Sequence, residues 1–73
     1  MTDEQKNQER QRVGQKIKEM RTEANVTLTE LSEKTGLDKA HIWRIEAGKY
    51  NVGIDTLAVI AKALEREVDF VKP

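Results

Sequence analysis

Seventy-three residues make one domain at most, near the lower limit for folding on an apolar core without a staple. The absence of cysteine excludes disulfides and thiolate metal sites, a lone histidine cannot hold a metal by itself, and no cofactor is called for. Thirteen basic and thirteen acidic side chains cancel to zero formal charge, a mild argument against nucleic-acid binding, where a basic excess is usual. Affinity, however, follows the face that meets phosphate. Between Lys34 and Lys49 four basic residues (Lys34, Lys39, Arg44, Lys49) stand against two acidic ones (Asp38, Glu46). The longest apolar run, Leu57–Ala61, is too short to cross a bilayer. Residues 1–12 lack the apolar core of a signal peptide, so a cytoplasmic location with no membrane partner is expected. A single proline at the last position and only four glycines favour a mainly helical chain.

Thr2 followed by Gln5 has capping-box spacing, and Asp3 and Glu4 suit the positive end of a helix dipole, so a first helix can open there. Asp3–Arg12 carries no apolar residue, and residues 1–12 are expected to be a polar extension or the frayed start of that helix. Val13, Ile17, Met20 and Ala24 recur at helical spacing and predict its packed part, with Gly14 tolerated at about 1 kcal/mol. Asn25 suits a left-handed stop, with Val26 folding back onto the stripe. Thr27 and Glu30 have capping-box spacing for a short second helix, with Leu28, Leu31 and Thr35 inward and Gly36 at its end. Leu37 fills the turn, and Asp38 opens a third helix running to Ala47. Two short helices meeting across Gly36–Asp38 form a helix-turn-helix arrangement. In the third helix Ile42 and Ile45 mark the inner face, and Ala40, Trp43, Arg44 and Ala47 fall roughly opposite. Gly48 closes it, Lys49–Gly53 is a loop, and a fourth helix from about Ile54 sets Leu57, Ile60, Ala61 and Leu64 on the core. After Arg66 the alternation Val68-Asp69-Phe70 predicts a short extended strand.

Ile17 and Arg21 in the first helix, Leu31, Ser32, Gly36 and Leu37 around the turn, Ile42–Glu46 followed by Gly48, Asn51–Leu57, and Ile60-Ala61 with Ala63-Leu64 carry a recognisable pattern. Over about Val13–Leu64 the chain resembles the phage-repressor (Cro-like, XRE-type) helix-turn-helix DNA-binding family. The resemblance implies an all-α, lambda-repressor-like bundle of four to five short helices, to which the alternation after Arg66 adds a short C-terminal strand. Residues 13–66 would then be the DNA-binding domain and 67–73 a strand or tail available for a dimer contact. Two departures stand out. Asn51-Val52-Gly53 replaces the Asn-Pro-Ser often found before the fourth helix, and glycine caps more weakly. Leu28 occupies a place where the family favours a glutamine that meets the DNA backbone, and it cannot hydrogen-bond phosphate; Thr29 is the nearest substitute.

The resemblance also implies a buried bidentate ion pair between Arg21 and Glu46, locking the third helix to the first. Lys39, Ala40 and Arg44 are the expected base readers, since in this motif the start of the recognition helix and the residue one turn on face base edges. Arg44 suits guanine O6 and N7, and Ala40 a thymine methyl. Trp43, an outward indole, calls for DNA backbone, a protein partner, or cover from Lys34 or Ala47. His41 at the helix edge, Lys49, Tyr50 and Asn51 in the following loop, and Thr27 and Thr29 at the second helix start are expected backbone contacts. Val59 and Ala63, read as pointing away from the core, join Val68, Phe70 and Val71 as a surface for a homodimer.

The leading functional expectation is a dimeric, sequence-specific repressor that binds double-stranded DNA at a palindromic site. An antitoxin that binds a toxin protein and represses their shared operon uses the same DNA chemistry. A protein-interaction module that has lost DNA binding is the third class, favoured by zero net charge and Leu28. No nucleophile, base and oxyanion donors can be placed together, so enzymatic activity is not expected.

Overall fold

Thr2 and Gln5 cap one another across the first turn of helix α1 (Asp3–Glu23): Thr2 Oγ1 accepts from the Gln5 N–H at 3.1 Å, and the Thr2 N–H donates to Gln5 Oε1 at 2.8 Å. The computed structural model describes residues 1–73 as four α-helices and no strand. Residues 3–12 of the polar segment belong to α1. Besides its cap, an i,i+3 pair between Glu9 and Arg12 lies along it, and Gln11 packs against Gly48. The end of α1 is a Schellman turn. Asn25, at φ 58°, lets its N–H reach the Thr22 carbonyl and the Val26 N–H reach that of Arg21, both at 3.0 Å. Ala24, expected on the inner stripe, caps the helix and is exposed, because the chain has already begun to turn away there.

Thr27 opens α2 (Leu28–Thr35) with a second reciprocal box, its Oγ1 accepting from the Glu30 N–H at 3.1 Å and its N–H donating to Glu30 Oε1 at 2.9 Å. Gly36 closes it at φ 76°, a left-handed conformation that glycine adopts without a Cβ penalty. The Ser32 hydroxyl donates to the Leu37 carbonyl and the Leu37 N–H to Thr35 Oγ1, so the tight turn satisfies its own polar groups. Helix α3 (Lys39–Glu46) follows, with Asp38 at the capping position but without a side-chain cap bond. It ends in a Schellman turn at Gly48, φ 73°, with Gly48 N–H on the Ile45 carbonyl and Lys49 N–H on that of Arg44. Helix α4 (Ile54–Ala63) ends the same way, but with Glu65 in the left-handed position at φ 58°.

Ile17 of α1, Leu31 of α2, Ile42 and Ile45 of α3, and Ile60 and Leu64 at α4 form one buried cluster. Each such side chain contributes on the order of 1.5–3 kcal/mol by leaving water. Two expectations about the C-terminal part change. Residues 66–73 form no strand, since the segments beside them are the helices α1 and α4 and the chain has no second strand to pair with them. Ala63 packs against the core rather than facing away, because it stands three residues after Ile60 and shares its side of α4.

Candidate nucleic-acid interface

α3 is short, and its position is set by two contacts with α1. The first is ionic. Arg21 Nε donates to Glu46 Oε2 at 2.7 Å and Nη2 to Oε1 at 3.1 Å, a side-on fork, while Nη1 donates to the Val26 carbonyl at 2.9 Å. The two side chains are only 10% and 4% exposed, and no buried polar side-chain atom in the chain lacks a partner. The second contact is steric. A Cβ at Gly14 would sit 2.3 Å from the Ile45 carbonyl oxygen and 2.7 Å from that of Glu46, so the backbones touch here. Sequence reasoning assigned Gly14 no role. Its signal was a glycine in the middle of a helical stripe, where propensity disfavours it and a close approach is the usual reason.

With Ile42 and Ile45 buried below and Glu46 turned to Arg21, the remaining positions of α3 project outward. Lys39, Ala40, Trp43 and Arg44 are all exposed on that side. Neither Lys39 nor Arg44 takes part in an ion pair. Lys39 shares a shallow hollow with Thr27 and Thr29, so the starts of α2 and α3 converge on one concave patch. Thr27 Oγ1 is engaged as a cap acceptor for the Glu30 N–H. Thr27 holds the Glu30 carboxyl below its ordinary range, first through the backbone N–H it donates, then through the threonine side chain.

Trp43 is 52% exposed. It borders a hollow with Ala47 and Leu28, and the Lys49 ammonium stands 6.0 Å from its ring centroid, the outer limit of a cation–π contact. His41 is half-buried and meets Tyr50 edge-on, ring centroids 4.6 Å apart at 74°. That contact fixes the loop after α3, leaving Lys49, Tyr50 and Asn51 exposed beside the outward face. Val59 on α4 is exposed, as are Val68, Phe70 and Val71 after it, Phe70 completely. No group of three or more His, Cys, Asp or Glu side chains is placed to hold a metal ion, and no helix is long and apolar enough to cross a membrane.

The helix-turn-helix family model matches residues 17–71, three quarters of the chain. The chain belongs to the helix-turn-helix family. This helix-turn-helix protein is similar to the immunity repressor protein of Bacillus phage phi105, at 37% identity over 59 residues, covering 81% of this chain and 41% of the phage protein. It therefore spans about two fifths of that relative's length. Its fold is similar to that of the restriction-modification controller protein C.AhdI from Aeromonas hydrophila. The TM-score is 0.78 at 29% identity, over 81% of this helix-turn-helix protein and 89% of the controller.

Proposed function

We propose that the protein is a transcriptional repressor that binds double-stranded DNA sequence-specifically, as a homodimer on a palindromic site, with α3 in the major groove. The observation that carries this reading is the outward face of α3: two unpaired cations, Lys39 and Arg44, beside Ala40, on a helix clamped to α1 by a buried fork. Arg44 reads guanine through a bidentate contact, Lys39 reads the neighbouring base or its phosphate, and Ala40 meets a thymine methyl. Thr27 and Thr29 at the start of α2, His41 and Trp43 on α3, and Lys49, Tyr50 and Asn51 in the loop after it hold the backbone.

The exposed apolar residues Val59, Val68, Phe70 and Val71 favour a second copy as their cover, which would set two recognition helices about 34–36 Å apart. The phage relative's name, immunity repressor, and the structural neighbour's name, restriction-modification controller, support regulation of transcription as the outcome. The protein acts by binding rather than as an enzyme, and a cytoplasmic location follows from its target. Zero formal charge favours one other reading, a protein-interaction module. Titration with random-sequence duplex DNA separates them. The repressor reading requires binding at low salt that falls steeply as salt rises; no binding at low salt sinks it.

A further inference from the structure

A second row of polar side chains, on α1, lies beside the recognition helix. Two shallow hollows flank α3 on the side facing α1 and α2. Thr29 and Lys39 border the first; Gln11, Gln15, Lys18 and Trp43 border the second; Arg21 and Leu28 border both. They join in one trough along α3, whose eight residues extend about 12 Å at 1.5 Å per residue.

Gln11, Gln15 and Lys18 stand at i, i+4 and i+7 and form one exposed row along α1. The row is held in place at the end of α3, because the Gln11 backbone packs on Gly48, where a Cβ would lie 2.7 Å from Gln11 Cα. At the bottom of the trough Arg21 and Glu46 neutralise each other. Lys18 has no ion-pair partner, so the charges the trough presents are Lys39 from α3 and Lys18 from α1. Between them lie the apolar surfaces of Leu28 and Trp43. Cations and amide donors along the rim with apolar surface between them match a sugar-phosphate strand, whose oxygens accept and whose deoxyribose faces are apolar.

The geometry points to a phosphate-binding arm on α1, in which Lys18 and Gln15 hold a DNA backbone strand running past Trp43 and Leu28. The donor that Leu28 cannot supply from α2 comes instead from the facing helix. This arm rests on the DNA-binding reading and adds α1 to the interface.

The test is fluorescence anisotropy of a labelled random-sequence duplex over a series of salt concentrations, with the full chain and three variants. Lys18→Ala should reduce the magnitude of the slope of log affinity against log salt by about 0.9, the value of one phosphate contact. Gln15→Ala should weaken binding at unchanged slope, since an amide releases no counterion. Lys62→Ala, exposed on α4 and outside the trough, should change neither. An unchanged slope in Lys18→Ala, undiminished binding by Gln15→Ala, or an equal loss in Lys62→Ala overturns the α1 arm while leaving DNA binding intact. No salt-dependent binding by the unmodified protein overturns both.

Discussion

Gly14→Ala should destabilise the protein, although helix propensity alone gives the opposite sign. In an unpacked helix the substitution gains about 1 kcal/mol. Here the new Cβ would lie 2.3 Å from the Ile45 carbonyl oxygen, 2.7 Å from the Glu46 oxygen and 3.0 Å from the Glu46 carbonyl carbon. All three are backbone atoms, and the Ile45 carbonyl is further tied by the Gly48 N–H at 3.0 Å. None can rotate aside, so α1 and α3 must separate by roughly 1 Å to restore ordinary van der Waals contact. Overpacking of this kind costs about 1–3 kcal/mol, which against the propensity gain leaves a net loss of up to about 2 kcal/mol. Urea denaturation followed by circular dichroism reads it directly, and the melting temperature should fall by about 4–8 °C per kcal/mol for a domain of this size. A variant more stable than the parent by about 1 kcal/mol would refute the close approach of the two helices.

The clamp predicts a larger loss. Arg21→Ala should cost about 3–5 kcal/mol in denaturant unfolding by leaving Glu46 buried without its fork, and adding Glu46→Ala should recover part of that; strict additivity would contradict the pairing. Glu30 should titrate below its ordinary value of 4.5 by carboxyl NMR, because Thr27 donates to its charged form. A lowered folded-state value means that its stabilising effect is present above the unfolded-state value and fades as pH falls through the folded one. Thr27→Ala should cost about 1 kcal/mol and return the midpoint only part of the way toward 4.5, since alanine keeps the backbone N–H that is the larger cause; an ordinary midpoint in the unmodified protein contradicts the capping box. Glu65→Gly should stabilise by about 0.5–1 kcal/mol, since a left-handed position at φ 58° burdens a residue with a Cβ. A loss there would show that the Glu65 side chain has a role of its own.

What the sequence makes legible here is what depends on residues close in the chain. The capping boxes Thr2/Gln5 and Thr27/Glu30, the stops at Asn25, Gly36 and Gly48, and the turn at Leu37 are each decided within four residues. So is the division of α3 into Ile42 and Ile45 inward and Lys39, Ala40 and Arg44 outward. Periodicity is silent where a second element decides. The ordering of residues 3–12 depends on caps, a Glu9–Arg12 pair and Gly48 rather than on an apolar stripe. Gly14 makes sense only once the α3 carbonyls face it. The alternation at Val68–Phe70 was a genuine strand pattern, but a strand needs a neighbour, and the single chain offers none. Gln15 and Lys18 carry no signal of their own in the sequence and gain a setting only because α3 lies beside them.

Selection of binding sites from random duplex DNA, run in parallel with the unmodified protein and Arg44→Ala, bears most directly on recognition through α3. The unmodified protein should enrich an inverted repeat with half-site centres about 34–36 Å apart. Arg44→Ala should bind that site about 1–3 kcal/mol more weakly and lose preference at one position in each half. No enriched sequence, or the same sequence preference in both proteins, would contradict recognition by Arg44 on this helix.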